Sequence, residues 1–216
     1  MDSGWRIVIP LRLSDAKSRL STQTAPRRRA LVVAMALDVL AAATACPSVD
    51  EVVLVSDPEG IEAVAAAGLA GARLLDDPGG GLNAAIRAGA TSASGPVAAL
   101  LADVPCATPD ALAIALAECT EGPVIVSDAE GLGTTLLAAR HVGDLRPRFG
   151  PRSRAAHVTD GARDILNTVP GALAGLRRDV DSEVDLWDAL RIGAGAFTRS
   201  ATAHEGGAGH RPTPPS

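Results

Sequence analysis

Short apolar runs alternate with stretches of helical spacing along most of the chain. The runs at 5–10 (Trp-Arg-Ile-Val-Ile-Pro), 51–56, 72–76, 96–102 and 123–127 are bounded by polar or turn-forming residues and predict buried parallel strands. Between them lie helical segments, of which the Ala-rich 27–45 is the longest. Asp57-Pro58 and Thr108-Pro109-Asp110 each set a capping side chain ahead of a first-turn proline, which predicts two helix starts. A further helix is predicted over 182–192, with Ser182 as its cap and Asp185 in its first turn. Strand and helix in alternation predict an α/β fold, doubly wound around a mostly parallel sheet.

The rhythm loosens after residue 127. Thr134–Ala139, a proline- and arginine-rich loop at 146–154 and a short strand at 165–169 predict an antiparallel edge or a lid. Residues 199–216 are rich in Gly, Pro and His and predict a disordered tail behind one domain spanning 1–198.

Composition narrows the function. A chain of 216 residues, 47% apolar, can bury a full core in one domain. Two Trp, two Phe and no Tyr provide too few stacking platforms for a base-stacking nucleic-acid binder, and a net charge of −5 argues against binding a phosphate backbone. From Arg140 to Arg178, however, eight arginines face three aspartates, a local basic stretch that suits a small anionic ligand. Cys46, Cys106 and Cys119 show neither a CxxC nor zinc spacing, so they are expected to be small buried side chains in a reducing cytoplasm. The N-terminus has no basic leader and no apolar run reaches membrane-spanning length, so neither secretion nor a membrane anchor is expected.

Lys17 is the single lysine among nineteen arginines, and it sits in the loop that leaves the first predicted strand. In an α/β sheet that loop opens on the edge where ligands bind, and Lys17 flanked by Arg12 and Arg19 suits a polyphosphate. Asp103 ends the run Val97–Ala102 and reaches the same edge. Asp179 and Asp181 alternate around Val180, which points both carboxylates to one side, where oxygen ligands in small number favour Mg²⁺ with bound phosphate. Glycines at 79–81 and at 131 and 133 let backbone amides approach a ligand closely. Taken singly, each feature has a plainer reading: a surface lysine, a loop aspartate, a helix cap with an arginine pair, two ordinary turns, and a lone packed histidine at His157. No G-x-G-x-x-G, Walker A, H-E-x-x-H or G-x-S-x-G is present, which removes support for dinucleotide oxidoreductase, zinc hydrolase and serine esterase chemistry.

In order, the blocks Pro10-Leu-Arg-Leu-Ser-Asp-Ala-Lys17-Ser-Arg19-Leu, Asp77-Pro-Gly-Gly80-Gly-Leu-Asn83, Leu100-Leu-Ala-Asp103-Val-Pro, Gly131-Leu-Gly-Thr134-Thr, Arg148-Phe-Gly150-Pro-Arg-Ser153-Arg-Ala-Ala-His157 and Arg178-Asp179-Val-Asp181 resemble the guanylyltransferases of deazaflavin coenzyme (coenzyme F-420) biosynthesis. The resemblance runs from about residue 5 to 192. Members join GTP to phosphoenolpyruvate or 2-phospho-L-lactate with release of pyrophosphate. It implies a single-domain nucleotidyltransferase fold of the glycosyltransferase-A type, three layers α/β/α. It also implies Mg²⁺ held by Asp103, Asp179 and Asp181. GTP would lie along Lys17, Arg19, Gly80 and Asn83, and the phosphorylated acid near Thr134, Gly150 and Ser153. Two departures stand out. Arg12 replaces what is often a second lysine, and Arg152 and Arg154 flank Ser153 where smaller or acidic residues are common. The competing readings are guanylyl or cytidylyl transfer to another phosphorylated acceptor such as molybdopterin, and a noncatalytic nucleotide-sensing domain. Composition of the high-GC kind favours phosphoenolpyruvate as acceptor. The oligomeric state is open, a homodimer included.

Overall fold

A computed structural model describes residues 4–13, 24–68, 71–169 and 171–203. Seven strands form one sheet in the order β3-β2-β1-β4-β6-β5-β7. They are β1 (Trp5–Leu11), β2 (Val49–Ser56), β3 (Ala72–Asp76), β4 (Val97–Leu100), β5 (Val124–Ser127), β6 (Thr134–Ala139) and β7 (Arg163–Asp164). The helices are α1 (Ala25–Thr44), α2 (Pro58–Ala66), α3 (Leu82–Ala90), α4 (Pro109–Ala117), α5 (Ser153–Thr159), α6 (Ala174–Arg177), α7 (Glu183–Ile192) and α8 (Ala196–Ala203).

Alternation along the strands divides the core between two faces. Ile7, Ile9 and Leu11 of β1 pack with Met35 and Leu40 of α1 and Leu112 of α4, while Val8 packs with Ile86 of α3 and Phe149. This is the expected α/β/α layering. On the second face the fit is close, since a Cβ on Gly89 of α3 would run into Val8 of β1. The predicted caps form: Asp57 accepts from the Gly60 amide, Thr108 from Ala111, and Ser182 with Asp185 makes a reciprocal capping box. All three cysteines are free and buried. No helix among the described residues is long and apolar enough to cross a membrane.

Four expectations need correction. Thr134–Ala139 is neither an edge nor a lid. As β6 it lies antiparallel between β4 and β5, with every residue buried. The strand expected at 165–169 is a short 3₁₀ turn, Ile165–Asn167, and the strand pairing is made just before it by β7. Asp164 accepts from the Leu166 amide and so turns the chain out of the sheet. β3 closes one edge of the sheet and is only partly buried. Finally, the domain does not stop at 198, because α8 continues to Ala203. The buried Asp38 carboxylate of α1 accepts from the amides of Phe197 and Thr198, holding that helix start against the core.

Candidate active site

The strand order reverses at β1, which has β2 on one side and β4 on the other. Beyond the carboxyl ends of such neighbouring strands the diverging connections leave a crevice. Here it opens into a cavity of about 510 Å³ lined by Asp103 after β4, Asp128 after β5, Thr134 at the start of β6, Gly150 and Ser153, and Asp179 and Asp181. Because β6 runs backwards, its first residue arrives at the edge where the parallel strands end.

Two backbone devices bring the carboxylates together. The Val180 amide donates to the Asp103 carbonyl at 2.9 Å, pinning the Asp179-Val-Asp181 segment to the exit of β4, and Val180 itself is fully buried. Arg177 donates to the carbonyls of Ser127, Asp128 and Ala129, which ties the same segment to the exit of β5. The helix cap is Ser182 with Asp185, so capping is not the work of Asp181. Burial, then the charges of Asp103, Asp181 and Asp128, push the Asp179 carboxyl up to about 7. Such crowding of like charge is what a divalent cation relieves, and three carboxylates are a hard-oxygen donor set that fits Mg²⁺ or Mn²⁺. Among the described residues no three His, Cys, Asp or Glu side chains already converge into a closed cage. An ion that keeps several waters and shares substrate phosphates does not require one.

The opposite wall is built by the 148–153 loop. Asn83 Nδ2 donates to the Phe149 carbonyl at 3.0 Å, and Asn83 Oδ1 accepts the Phe149 amide at 2.8 Å. The side chain expected to lie along GTP also holds this loop. His157, 1% exposed, accepts the Arg148 amide on Nε2 and meets the Thr134 hydroxyl through Nδ1, both at 2.9 Å. Gly150 (φ 136°) and Arg152 (φ 57°, ψ 33°) lie in the left-handed region, and Ser153 begins α5. A non-glycine residue there stores strain of the sort found at ligand clamps.

A smaller cavity of about 220 Å³, lined by Pro10, Leu11, Arg12, Asp77, Gly81 and Ala85, adjoins the first through the shared Leu82. Gly79, Gly80 and Gly81 all have positive φ (79°, 83° and 86°), a main-chain turn that only successive glycines adopt without strain, and it leads directly into α3. Lys17 and Arg19 lie outside the described residues. Beyond the end of β1 at Leu11, the Leu13 amide is held by the Asp57 carboxylate at 3.1 Å.

The sequence from residue 5 to 200 matches the family model described as "Guanylyl transferase CofC like". The chain belongs to that guanylyl transferase family. It is 42% identical to a phosphoenolpyruvate guanylyltransferase of Salinispora arenicola, over 92% of this chain and 93% of that one. A Streptomyces coelicolor protein of the same name is also 42% identical, over 92% and 96%. In fold it is similar to a nucleotidyl transferase from Methanothermobacter thermautotroptrophicus (TM-score 0.61, 20% identity, 91% and 99% covered). It is likewise similar to a Mycobacterium tuberculosis protein solved in complex with manganese (TM-score 0.53, 19% identity, 88% and 100% covered).

Within this CofC-like guanylyl transferase the departures from the family pattern acquire partners. Arg12 binds Asp77 through Nε and Nη2 at 2.9 and 2.7 Å, beside the glycine turn. Arg154 binds Asp164 at 2.6 Å, away from the cavity. Arg152 alone of the three lines the larger cavity, and it is the one cationic side chain to do so among the described residues. The sequence reading missed Asp128, Arg177 and the role of His157. Asp128 was within reach, for it follows β5 as Asp103 follows β4. Arg177 and His157 gave no local sign, because their partners are far along the chain.

Proposed function

We propose that this guanylyl transferase joins GTP to phosphoenolpyruvate, with release of pyrophosphate, in coenzyme F-420 biosynthesis. The observation that carries the reading is the larger cavity, with acidic residues Asp103, Asp179 and Asp181 on one wall and the anion-binding set Thr134, Gly150, Arg152 and Ser153 on the other. The names of the two actinobacterial relatives support the choice of acceptor. A phosphate oxygen of the acceptor attacks the α-phosphorus of GTP in line. The new phosphorus–oxygen bond forms as the bond to the bridging oxygen breaks, and pyrophosphate leaves with that electron pair. No protein nucleophile is required, because alignment and charge neutralisation account for such transfers.

The smaller cavity and the Gly79–Gly81 turn would take the guanosine and its phosphates, with Lys17 and Arg19 closing over the triphosphate and stabilising the departing pyrophosphate. Asp103, Asp179 and Asp181 would hold a divalent ion, Mg²⁺ in our reading. Bound there, it would neutralise phosphate charge that otherwise keeps the two substrates apart. Thr134, Ser153 and the Gly150 main chain would orient the acceptor's carboxylate and phosphate, with Arg152 adding charge. Both substrates are small soluble anions, and three buried free thiols support a cytoplasmic setting.

The test is pyrophosphate release from GTP, ATP and CTP, each with phosphoenolpyruvate and with 2-phospho-L-lactate, under Mg²⁺, Mn²⁺ and chelator. Release with GTP and phosphoenolpyruvate, lost in chelator, is expected. Release only with 2-phospho-L-lactate would move the acceptor, and GTP binding without any release would favour a sensing domain.

A further inference from the structure

Two consecutive main-chain amides of the 148–153 loop are taken by side chains from outside it. Asn83 Oδ1 takes that of Phe149, and His157 Nε2 takes that of Arg148. The second bond has a chemical consequence. A main-chain amide can only donate, so Nε2 must present its lone pair, and a neutral imidazole then carries its one proton on Nδ1. Nδ1 lies 2.9 Å from Thr134 Oγ1 and therefore donates to it. The Phe149 ring, edge-on at 5.0 Å and 72°, fixes the plane of the imidazole. Burial holds the ring well below its ordinary value, at about 4, so it stays neutral near pH 7.

With one lone pair of the Thr134 hydroxyl committed to His157, its proton must point elsewhere. Among the described residues Thr134 Oγ1 has no other hydrogen-bond partner, and Thr134 lines the larger cavity. We infer that His157 is a positioning residue for the acceptor: its Nδ1–H occupies one lone pair of the Thr134 hydroxyl and so directs that hydroxyl's own proton toward an anionic oxygen in the cavity, while its Nε2 fixes the 148–153 loop. This inference rests on the reading of the cavity as the acceptor site.

A double-mutant cycle tests it, with Thr134→Val, His157→Leu and the pair, measuring KM for phosphoenolpyruvate and for GTP separately. Each single change should raise the acceptor KM roughly tenfold or more, the loss of one hydrogen bond to a charged group, and leave the GTP KM nearly unchanged. The pair should be no worse than the poorer single variant, because His157 acts through Thr134. His157→Asn, whose amide can donate near the position of Nδ1, should recover much of the acceptor affinity that His157→Leu loses. Additive losses, equal rises in both KM values, or an Asn variant no better than Leu would overturn the assignment.

Nitrogen NMR of the unmodified protein decides the tautomer even if His157→Leu does not fold. A neutral Nδ1–H ring at pH 7 is expected; an Nε2–H or charged ring would refute the proposal. Wild-type protein that turns over neither phosphorylated acid would sink the functional reading itself, whereas an active enzyme with an unmoved acceptor KM in these variants would sink only the role of His157.

Discussion

Asn83 holds the main chain of Phe149 by both polar atoms of its side chain, as a neighbouring strand would, across a separation of 66 residues. The bond pair links the start of α3, beside the glycine turn, to the loop that walls the larger cavity. The smaller and the larger cavity are thereby fixed relative to each other. Asn83→Ala leaves two part-buried main-chain groups without that partner, and a destabilisation of about 1–3 kcal/mol is expected. Thermal unfolding measures it, and steady-state kinetics should show the acceptor KM rising more than that of GTP. An unchanged melting temperature with unchanged kinetics would contradict the clamp.

Asp179 predicts a dependence on pH. Its carboxyl titrates at about 7 in the fold against an ordinary 3.8, so the folded protein keeps a proton that the unfolded chain has released. Metal-free stability should therefore fall as pH rises from about 4 to about 7 through this group. Asp179→Asn removes the charge and should raise the melting temperature in chelator at pH 8, with little effect at pH 4, while turnover is abolished. A variant less stable than wild type at pH 8 would show that the carboxylate is stabilised by contacts rather than crowded.

Asp181 and Ser182 are neighbours with separable roles. Ser182→Ala breaks the capping box of α7 and should cost about 1 kcal/mol while turnover stays near normal. Asp181→Ala should do the reverse, losing turnover with unfolding almost unmoved. Chemical denaturation alongside a pyrophosphate assay distinguishes them, and an Asp181 variant with measurable activity would remove it from the metal site.

Arg152 combines a left-handed backbone with a place on the cavity wall. Arg152→Gly relieves a strain on the order of 1 kcal/mol, so the variant should be at least as stable as wild type. Its affinity for the acceptor should fall, and the remaining binding should depend less on salt. Isothermal calorimetry at two ionic strengths checks both points, and equal acceptor affinity in the two proteins would make Arg152 a surface residue.

Local chemistry made much of this legible in the sequence. Asp57-Pro58, Thr108-Pro109 and Ser182 with Asp185 hold cap and first turn within four residues, so those helix starts could be read directly. Asp103 stood out because it follows an apolar run, and the Asp179–Asp181 pair because it alternates around Val180; both line the larger cavity. What escaped depends on distant partners. Thr134–Ala139 is buried on both faces, and an apolar run of that kind does not encode whether its neighbours run with it or against it. Asn83 gives no local sign of its two bonds to the Phe149 main chain, 66 residues on. Arg177 reaches carbonyls about fifty residues earlier, and His157 meets Thr134 across 23 residues. The Gly-, Pro- and His-rich composition of 199–216 reads as a tail from its first residue, and the Asp38 carboxylate that anchors the start of α8 lies about 160 residues earlier on α1.

The reversed strand β6 has a consequence for how such an enzyme changes over time. Both ends of the 128–133 connection emerge beside the larger cavity, and the strands on either side of it are sealed in the core. Substitutions in that connection, or in the 148–153 wall that leads into α5 and its bond from the Arg154 amide to the Leu132 carbonyl, can reshape the larger cavity without loosening the sheet. The smaller cavity, built from an earlier stretch of chain, need not change with them. Under the function proposed above, a lineage could thus exchange one three-carbon acid for another while keeping its guanylyl donor.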